Sequence, residues 1–188
     1  MVETASSLLA AWSNFFVMTG SSAAALTGLM FVVVTLVMRS ERLRAAEEGT
    51  ATFSTPTVMH FGAALLASAV LAAPWRSLLP PAVLLGLGGL YGAVFILRIM
   101  NRTKRLSIYT ADIEDWIWYS VLPFIAYLAI FAGAIALRAA PVQALFVLAG
   151  SVMLLIFIGI RNSWDIVTFI ATGRADQGST ANRHDTST

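Results

Sequence analysis

The chain contains no cysteine and only two histidines among its 188 residues. Without cysteine there are no disulfides, no thiolate metal ligands, no thiol nucleophiles and no palmitoylation sites. Two histidines, one of them His184 near the C-terminal end, provide neither an HExxH pair nor a Ser–His–Asp triad. The sequence therefore predicts a protein that is not an enzyme and that holds no metal ion or cofactor.

Charged residues are also scarce and make up 12% of the chain, against roughly 25% in a soluble domain. The hydrophobic share is 58%, and the mean hydropathy is +0.79. The apolar residues form five continuous runs, whereas membrane strands alternate in character over about ten residues. The predicted fold class is therefore all-α: a polytopic integral membrane protein with five transmembrane helices.

The five predicted spans differ in how they begin and end. Their limits are about 14–38, 57–73, 82–100, 116–137 and 142–160. Pro56 is expected at the first helical position of the second span, after a loop at 50–55, because the first turn leaves that N–H unbonded anyway. Pro123 predicts a kink in the fourth span. Helical extensions are predicted to reach about residue 48 after the first span and about residue 170 after the fifth.

The predicted spans form one membrane domain, residues 1–172. Spans 2–3 and 4–5 are joined by short turns and predict two in-out-in helical hairpins. The long first helix, thin on every face, is expected to be the central pillar packed against both hairpins. Residues 173–188 contain no large apolar side chain and predict a disordered cytoplasmic tail.

Lysine and arginine fall mainly on one side of the predicted membrane. The connections on alternating sides carry ten against two of the twelve basic residues, and the richer side includes the C-terminal end. Because basic residues accumulate in cytoplasmic loops, the distribution predicts a plasma (inner) membrane protein with its N-terminus outside and its C-terminus in the cytoplasm. The same arginines lie at loop ends and form no face for nucleic acid.

Two stripes of small residues are the clearest packing signal. Gly20, Ala24 and Gly28 recur every four residues in the first span, and Gly88 and Gly92 repeat that spacing in the third. In a membrane such spacing lets two helices approach closely. The first stripe is predicted to pack inside the chain, which leaves oligomer contacts to other surfaces.

Few polar side chains stand in or beside the spans at the predicted cytoplasmic end. His60 lies one turn into the second span and admits two interpretations: a proton relay, ligand contact or pH sensor, or an interfacial histidine that bonds a backbone group or a lipid headgroup. Arg161, Asn162 and Asp165 end the fifth span. These residues also admit two interpretations. In the first, they line a polar vestibule together with His60. In the second, Arg161 ends the span and Asp165 is its local ion-pair partner.

A basic stripe follows the third span and consists of Arg98, Arg102, Lys104 and Arg105. It predicts contact with anionic lipid headgroups on the cytoplasmic side. Charge that fixes the topology explains the stripe equally well. The lipid bilayer is thus one predicted partner.

Residue size varies along the predicted spans. Glycine and alanine crowd the outer halves, and large aromatic side chains such as Phe61, Phe124 and Phe157 occupy the inner halves. Small side chains permit interaxial distances near the short end of the range of about 8–10 Å. The predicted bundle is therefore tight on the outer side and opens toward the cytoplasm near His60 and Arg161.

Two functions from different classes fit these features. The first is a non-enzymatic multi-pass membrane protein that acts through helix–helix association as a scaffold, regulator or subunit, either as a homo-oligomer or with another membrane protein. The second is a small oligomeric channel or transporter for ions or solutes, with a cytoplasm-facing polar vestibule. The abundance of small-residue stripes and the scarcity of reactive groups favour the first.

Overall fold

Helices account for every element in the part of the chain that the structure, a computed structural model, describes. The described backbone covers residues 2–38, 47–105 and 116–185, and side chains are described for 6–33, 35, 56–101 and 116–168. The helices are α1 (Val2–Met38), α2 (Glu47–Ala72), α3 (Leu79–Arg105), α4 (Leu122–Ala136) and α5 (Pro141–Asp185), and a π-helical turn (Ile117–Val121) leads into α4.

Four described segments are long and apolar enough to cross a membrane. They are Ser6–Val33, Leu79–Asn101, Ile117–Ala136 and Pro141–Thr168, and Pro56–Ala72 is a shorter apolar helix. Apolar runs of this length favour helices because a helix bonds its own backbone groups where no water is present to do so. The prediction of an all-helical chain with apolar helices of membrane length is confirmed at this level.

α2 begins earlier than the sequence predicts. The helix starts at Glu47 and includes the predicted loop at 50–55, so Pro56 lies inside α2 and not at its first turn. An internal proline removes one backbone hydrogen bond. The helix nevertheless continues through Pro56, because the residues before and after the proline each add a backbone hydrogen bond to a helix that has already formed. The predicted extension of the first helix falls largely on 39–46, outside the described residues.

α5 also runs further than predicted, to Asp185. The lack of an apolar face favours disorder from residue 173 onward. The segment contains no proline, however, and a helix that is already nucleated lengthens at little cost. The structure thus differs from the prediction over 173–185, while 186–188 lie outside the described residues.

The irregularity predicted at Pro123 takes the form of a π-helical turn. The N–H of Leu122 bonds to the carbonyl of Ile117, five residues back. A proline ring clashes with the carbonyl four residues before it, here that of Tyr119, and a wider turn relieves the clash. The turn directs Trp118 and Tyr119 toward α5.

Four helices form a ring in the order α2, α5, α4 and α3, and α1 lies outside it against α2 and α5. The candidate span in α5 is 56% buried, compared with 28% for those in α1 and α3. The expectation that the first helix is the central pillar is therefore wrong, because α1 lies outside the ring and α5 is the more buried helix. The apolar span of α5 contacts α1, α2 and α4 and still exposes large side chains such as Phe157, whereas α1 touches one helix of each hairpin.

α1 packs through a seven-residue repeat. Its buried apolar residues are Leu9, Phe16, Ala23 and Met30. Helices that pack side by side along a shared seam have this spacing. α1 runs parallel to α5, because the rings of Trp12 and Phe146 lie 4.7 Å apart at one end and Ser163 contacts Met30 at the other.

The two ends of the helix ring differ. The connections between α2 and α3 (73–78) and between α4 and α5 (137–140) lie at one end, here named the turn end. Leu79 and Arg138 meet there on a shared groove. The opposite end, here named the polar end, carries His60, Arg161 and Asp165.

Candidate functional site

Two glycines make room for aromatic rings between the helices near the polar end. A methyl group in place of Gly92 of α3 would overlap the ring of Tyr127 of α4. One at Gly159 of α5 would lie 2.5 Å from Cε1 of Phe61 of α2. Tyr127 and Phe61 are both buried. Each large ring therefore faces a glycine, and this pairing allows the helices to pack closely.

The buried polar junction, defined here as His60, Tyr127 and Asn162, draws on α2, α4 and α5. His60 has no exposed surface, and its Nδ1 lies 3.0 Å from the hydroxyl of Tyr127. The same hydroxyl lies 3.5 Å from the carbonyl oxygen of Met59. The interpretation of His60 as a headgroup contact is thus wrong, because the ring of Tyr127, seated over Gly92, covers the histidine.

The hydrogen-bond pattern leaves one nitrogen of the His60 ring without a partner. If Nδ1 carries the proton, it donates to the Tyr127 hydroxyl, which then donates to the Met59 carbonyl oxygen. If Tyr127 donates to Nδ1, the proton of the neutral ring is on Nε2. In both tautomers Nε2 is buried and bonded to no described residue. Nε2 of His60 therefore has an unused capacity to donate or accept one hydrogen bond, depending on the tautomer.

Asn162 of α5 adds two more buried polar atoms without a hydrogen-bond partner among the described residues. Its side chain is completely buried, and neither Nδ2 nor Oδ1 has a hydrogen-bond partner among the described residues. Asn162 follows Gly159 by three residues, so it lies within one turn of the level at which α5 meets Phe61, the neighbour of His60. An unbonded buried polar group costs about 1–3 kcal/mol. Several such atoms at one junction mark it as the candidate functional site.

The predicted vestibule of His60, Arg161, Asn162 and Asp165 divides into two parts. His60 and Asn162 are enclosed, whereas the side chains of Arg161 and Asp165 are 33% and 31% exposed. His60 therefore lines no open vestibule, and the predicted widening of the bundle toward this end stays a prediction. Bulky rings do not hold the helices apart here, because glycines on the facing helices receive them.

Arg161 and Asp165 form an ion pair one turn apart on α5. The hydroxyl of Tyr119 lies 3.5 Å from the other carboxylate oxygen of Asp165, and the guanidinium carbon of Arg161 lies 5.9 Å from the centre of the Trp118 ring. Both aromatic residues belong to the π-helical turn before Pro123. A partly exposed ion pair contributes only about 0–1 kcal/mol, so the main effect of these contacts is to fix the direction of the turn against α5.

The small-residue stripe of α1 is split between two surroundings. A methyl group at Gly20 would lie 3.1 Å from Cβ of Ser68 on α2, and beside it the hydroxyls of Thr19 and Ser68 are 3.0 Å apart. Ala24 is exposed, and a methyl group at Gly28 would meet no atom within 4 Å. Residues four apart advance by about 40° around a helix at each step. The stripe therefore leaves the seven-residue seam, and its predicted packing inside the chain is wrong for Ala24 and Gly28.

The small-residue stripe of α3 is shifted by one residue from the prediction. Gly92 lies against Tyr127, but Gly88 faces open space. Its neighbour Gly89 lies against α4 instead, where a methyl group would come 2.7 Å from the backbone nitrogen of Phe131. Gly89 and Gly92 together let α3 approach α4.

The basic stripe stays a prediction. Arg98 is exposed on α3, and the helix continues to Arg105. The side chains of Arg102, Lys104 and Arg105 lie outside the described residues.

Three aromatic residues escaped sequence reasoning as members of the site. A tyrosine within an apolar span is the signal that identifies Tyr127, because its hydroxyl needs a partner when buried. Trp118 and Tyr119 are of the residue types that anchor helices at the membrane–water interface, and the sequence offers no other role for them. Only the wider turn before Pro123 orients them toward the ion pair.

Tyr127→Phe is expected to lower the stability of the folded chain by about 1–3 kcal/mol, because both nitrogens of His60 then lack a partner. Adding His60→Leu should recover most of the loss, since replacing both partners by apolar groups is nearly neutral. Thermal unfolding in detergent micelles measures both effects. Tyr91→Phe is the matched control, because Tyr91 is exposed on α3. Equal melting temperatures for Tyr127→Phe and Tyr91→Phe would contradict the described bond.

Comparisons with known proteins add no family assignment. The chain was compared with protein-family models, with curated proteins and with solved structures, and none matched. Within the described ranges, no group of three His, Asp or Glu side chains stands close enough to hold a metal ion. The polar end and the exposed helix faces are therefore the basis for a functional proposal.

Proposed function

We propose that the chain is a five-helix integral membrane protein of the plasma (inner) membrane, with its N-terminus outside and its C-terminus in the cytoplasm. Four membrane-length apolar helices and the shorter segment Pro56–Ala72 support the five crossings. The ten-to-two distribution of basic residues supports the orientation. In this arrangement the polar end faces the cytoplasm and the turn end faces outside.

Within that membrane, the protein acts through helix–helix association and performs no catalytic step. The observation that carries the proposal is the outward face of α1, on which Ser21, Ala25 and Gly28 are exposed. A methyl group at Gly28 would meet no atom within 4 Å. Lipid tails are as apolar as leucine, so close approach at small residues is what drives transmembrane helices together. The face therefore fits a further helix.

A second copy of this chain is the proposed occupant of that face. A shallow strip of small side chains is complementary to itself, which is what a two-fold interface between identical helices requires. Association with a helix of another membrane protein is the other outcome of the test.

Gly28→Leu is expected to abolish self-association and to leave the melting temperature of the single chain unchanged. The leucine side chain occupies the surface that a second helix would approach, yet within one chain it meets open space. Crosslinking in membranes and light scattering in detergent measure the oligomeric state. Gly150→Leu is the matched control, because Gly150 of α5 is exposed with equal space around it.

Two results would contradict this proposal. A wild-type chain that is entirely monomeric in the membrane, with no partner crosslinked to α1, removes its basis. Equal loss of the oligomer in Gly28→Leu and Gly150→Leu places the interface elsewhere. A crosslinked partner that is lost only in Gly28→Leu assigns the face to another membrane protein.

A second candidate function, transport of ions or solutes by an oligomer, is favoured by the buried polar junction. Polar groups inside a membrane bundle often lie on substrate or proton pathways, and His60 and Asn162 hold atoms that no described residue bonds. Flux into liposomes reconstituted with the protein tests it. Loss of flux in Asn162→Leu, with flux retained in Gly150→Leu, supports transport, and absence of flux in the wild type opposes it.

A further inference from the structure

A groove between α3 and α4 at the turn end combines an apolar interior with a single cation. Its volume is about 580 Å³, and its walls include Leu79, Val83, Gly86, Ala134, Ile135 and Arg138. Small residues form the floor of the groove, where a methyl group at Gly86 would make an ordinary contact of 3.8 Å with Cβ of Ala134. Arg138 is the second residue after α4 and lies where the α4–α5 connection begins.

Arg138 has no acidic residue near it in the sequence. The acidic residues nearest to it in sequence are Asp115 and Asp165, which lie before α4 and toward the polar end of α5. The sequence between Glu48 and Asp112, which contains α3, has no acidic residue at all. Arg138 is exposed, and no described side chain pairs with it. An anion bound to Arg138 would therefore come from outside the hairpins.

We propose that this groove binds one anionic phospholipid, with the phosphate on Arg138 and an acyl chain along the apolar walls. The volume lies within the range of about 300–1,000 Å³ that small-molecule sites occupy. A guanidinium group matches a phosphate with two parallel hydrogen bonds. The site differs from the predicted headgroup contacts of Arg98 and its neighbours, which lie at the other end of α3 and serve the opposite leaflet.

Three features argue for a lipid as the occupant. The groove lies on the outer surface of the helix ring, and its walls are apolar apart from Arg138. The lone cation at one end matches an amphiphile whose charge is confined to one end. A zwitterionic lipid would bring a second cation to a place where no described carboxylate is available to receive it.

Native mass spectrometry of the full chain in detergent micelles, titrated with phosphatidylglycerol, tests the proposal. We expect the affinity for the most tightly held lipid to fall about fivefold in Arg138→Gln. Gly86→Leu, which fills the groove without changing charge, should give a loss of similar size. The double variant should lose no more than either single variant, because both changes remove the same site. Gly88→Leu is the control, because Gly88 lies about half a helical turn from Gly86, in open space and outside the groove.

Three results would overturn the proposal. The first is an unchanged phosphatidylglycerol affinity in both Arg138→Gln and Gly86→Leu. The second is phosphatidylcholine bound as tightly as phosphatidylglycerol by the wild type. The third is displacement of the lipid by millimolar inorganic phosphate, which would assign Arg138 to a soluble anion. Since α1 does not line the groove, loss of self-association in Gly28→Leu leaves this measurement unaffected, and the two proposals fail separately.

Discussion

Gly89→Ala is expected to lower the stability of the folded chain by about 1–3 kcal/mol, whereas Gly88→Ala, at the adjacent residue, should leave it unchanged or raise it. A methyl group at position 89 would lie 2.7 Å from the backbone nitrogen of Phe131 and 2.9 Å from the carbonyl oxygen of Tyr127. Backbone atoms cannot rotate aside, so α3 and α4 must separate. Position 88 has no atom within 4 Å of the added methyl group.

The helix propensities of the two changes are the same, which makes the pair a matched comparison. Alanine is favoured over glycine in a helix interior by about 1 kcal/mol. Gly88→Ala gains this helix propensity without any clash. Gly89→Ala gains the same propensity, but its methyl group clashes with the backbone of α4. Thermal unfolding of the two variants in the same detergent measures the difference. Equal melting temperatures would mean that α3 and α4 are not in contact at Gly89.

Gly92→Ala should act through the buried polar junction as well as through packing. The added methyl group would overlap the ring of Tyr127, which is held by its contact with His60. Moving the ring breaks that contact, so the losses from Gly92→Ala and Tyr127→Phe should not add. Non-additivity distinguishes this position from Gly89, where the clash is with backbone.

The helical fold could be predicted because it depends on long uniform runs. An apolar run of about 20 residues predicts a membrane-length helix whatever its neighbours are, and the segments Leu79–Asn101 and Ile117–Ala136 follow from that alone. Pro123 likewise acts through its own ring on the turn before it, so the irregularity there was readable from one residue. Both features are local.

Features that depend on which helices face each other could not be predicted in the same way. A four-residue stripe and a seven-residue seam differ by a slow rotation around the helix, so Gly20 falls at an interface and Gly28 does not. Phe61 fills space only because Gly159, about one hundred residues later in the chain, receives its ring. Residue size along one span therefore says little about the width of the gap beside it.

Helix ends were predicted less well than helix centres for a related reason. Pro56 is compatible with the first turn of a helix and, at the cost of one bond, with the interior. The choice depends on whether the residues before it are helical, and in the structure α2 starts at Glu47. Local sequence alone does not decide between these two positions.

Asn162→Leu is expected to raise the stability of the folded chain by about 1–3 kcal/mol, the opposite of most substitutions in a core. The amide is completely buried, and neither of its polar atoms is bonded by a described residue. Leucine has the same branched shape as asparagine and removes the unmet polarity without leaving a cavity. Ser151→Ala is the control, since the buried Ser151 hydroxyl already bonds the Val147 carbonyl at 2.7 Å and its removal should gain nothing.

The melting temperature in detergent and the flux into liposomes should be measured on the same Asn162→Leu preparation, because together they separate three explanations of the amide. A rise of about 2–4 °C per kcal/mol gained, with flux lost, means that the residue serves transport at the expense of stability. A rise without any change in flux or oligomeric state means that the amide serves neither proposed function. A fall in melting temperature contradicts the prediction, because removal of unmet buried polarity can only raise the stability of the folded chain.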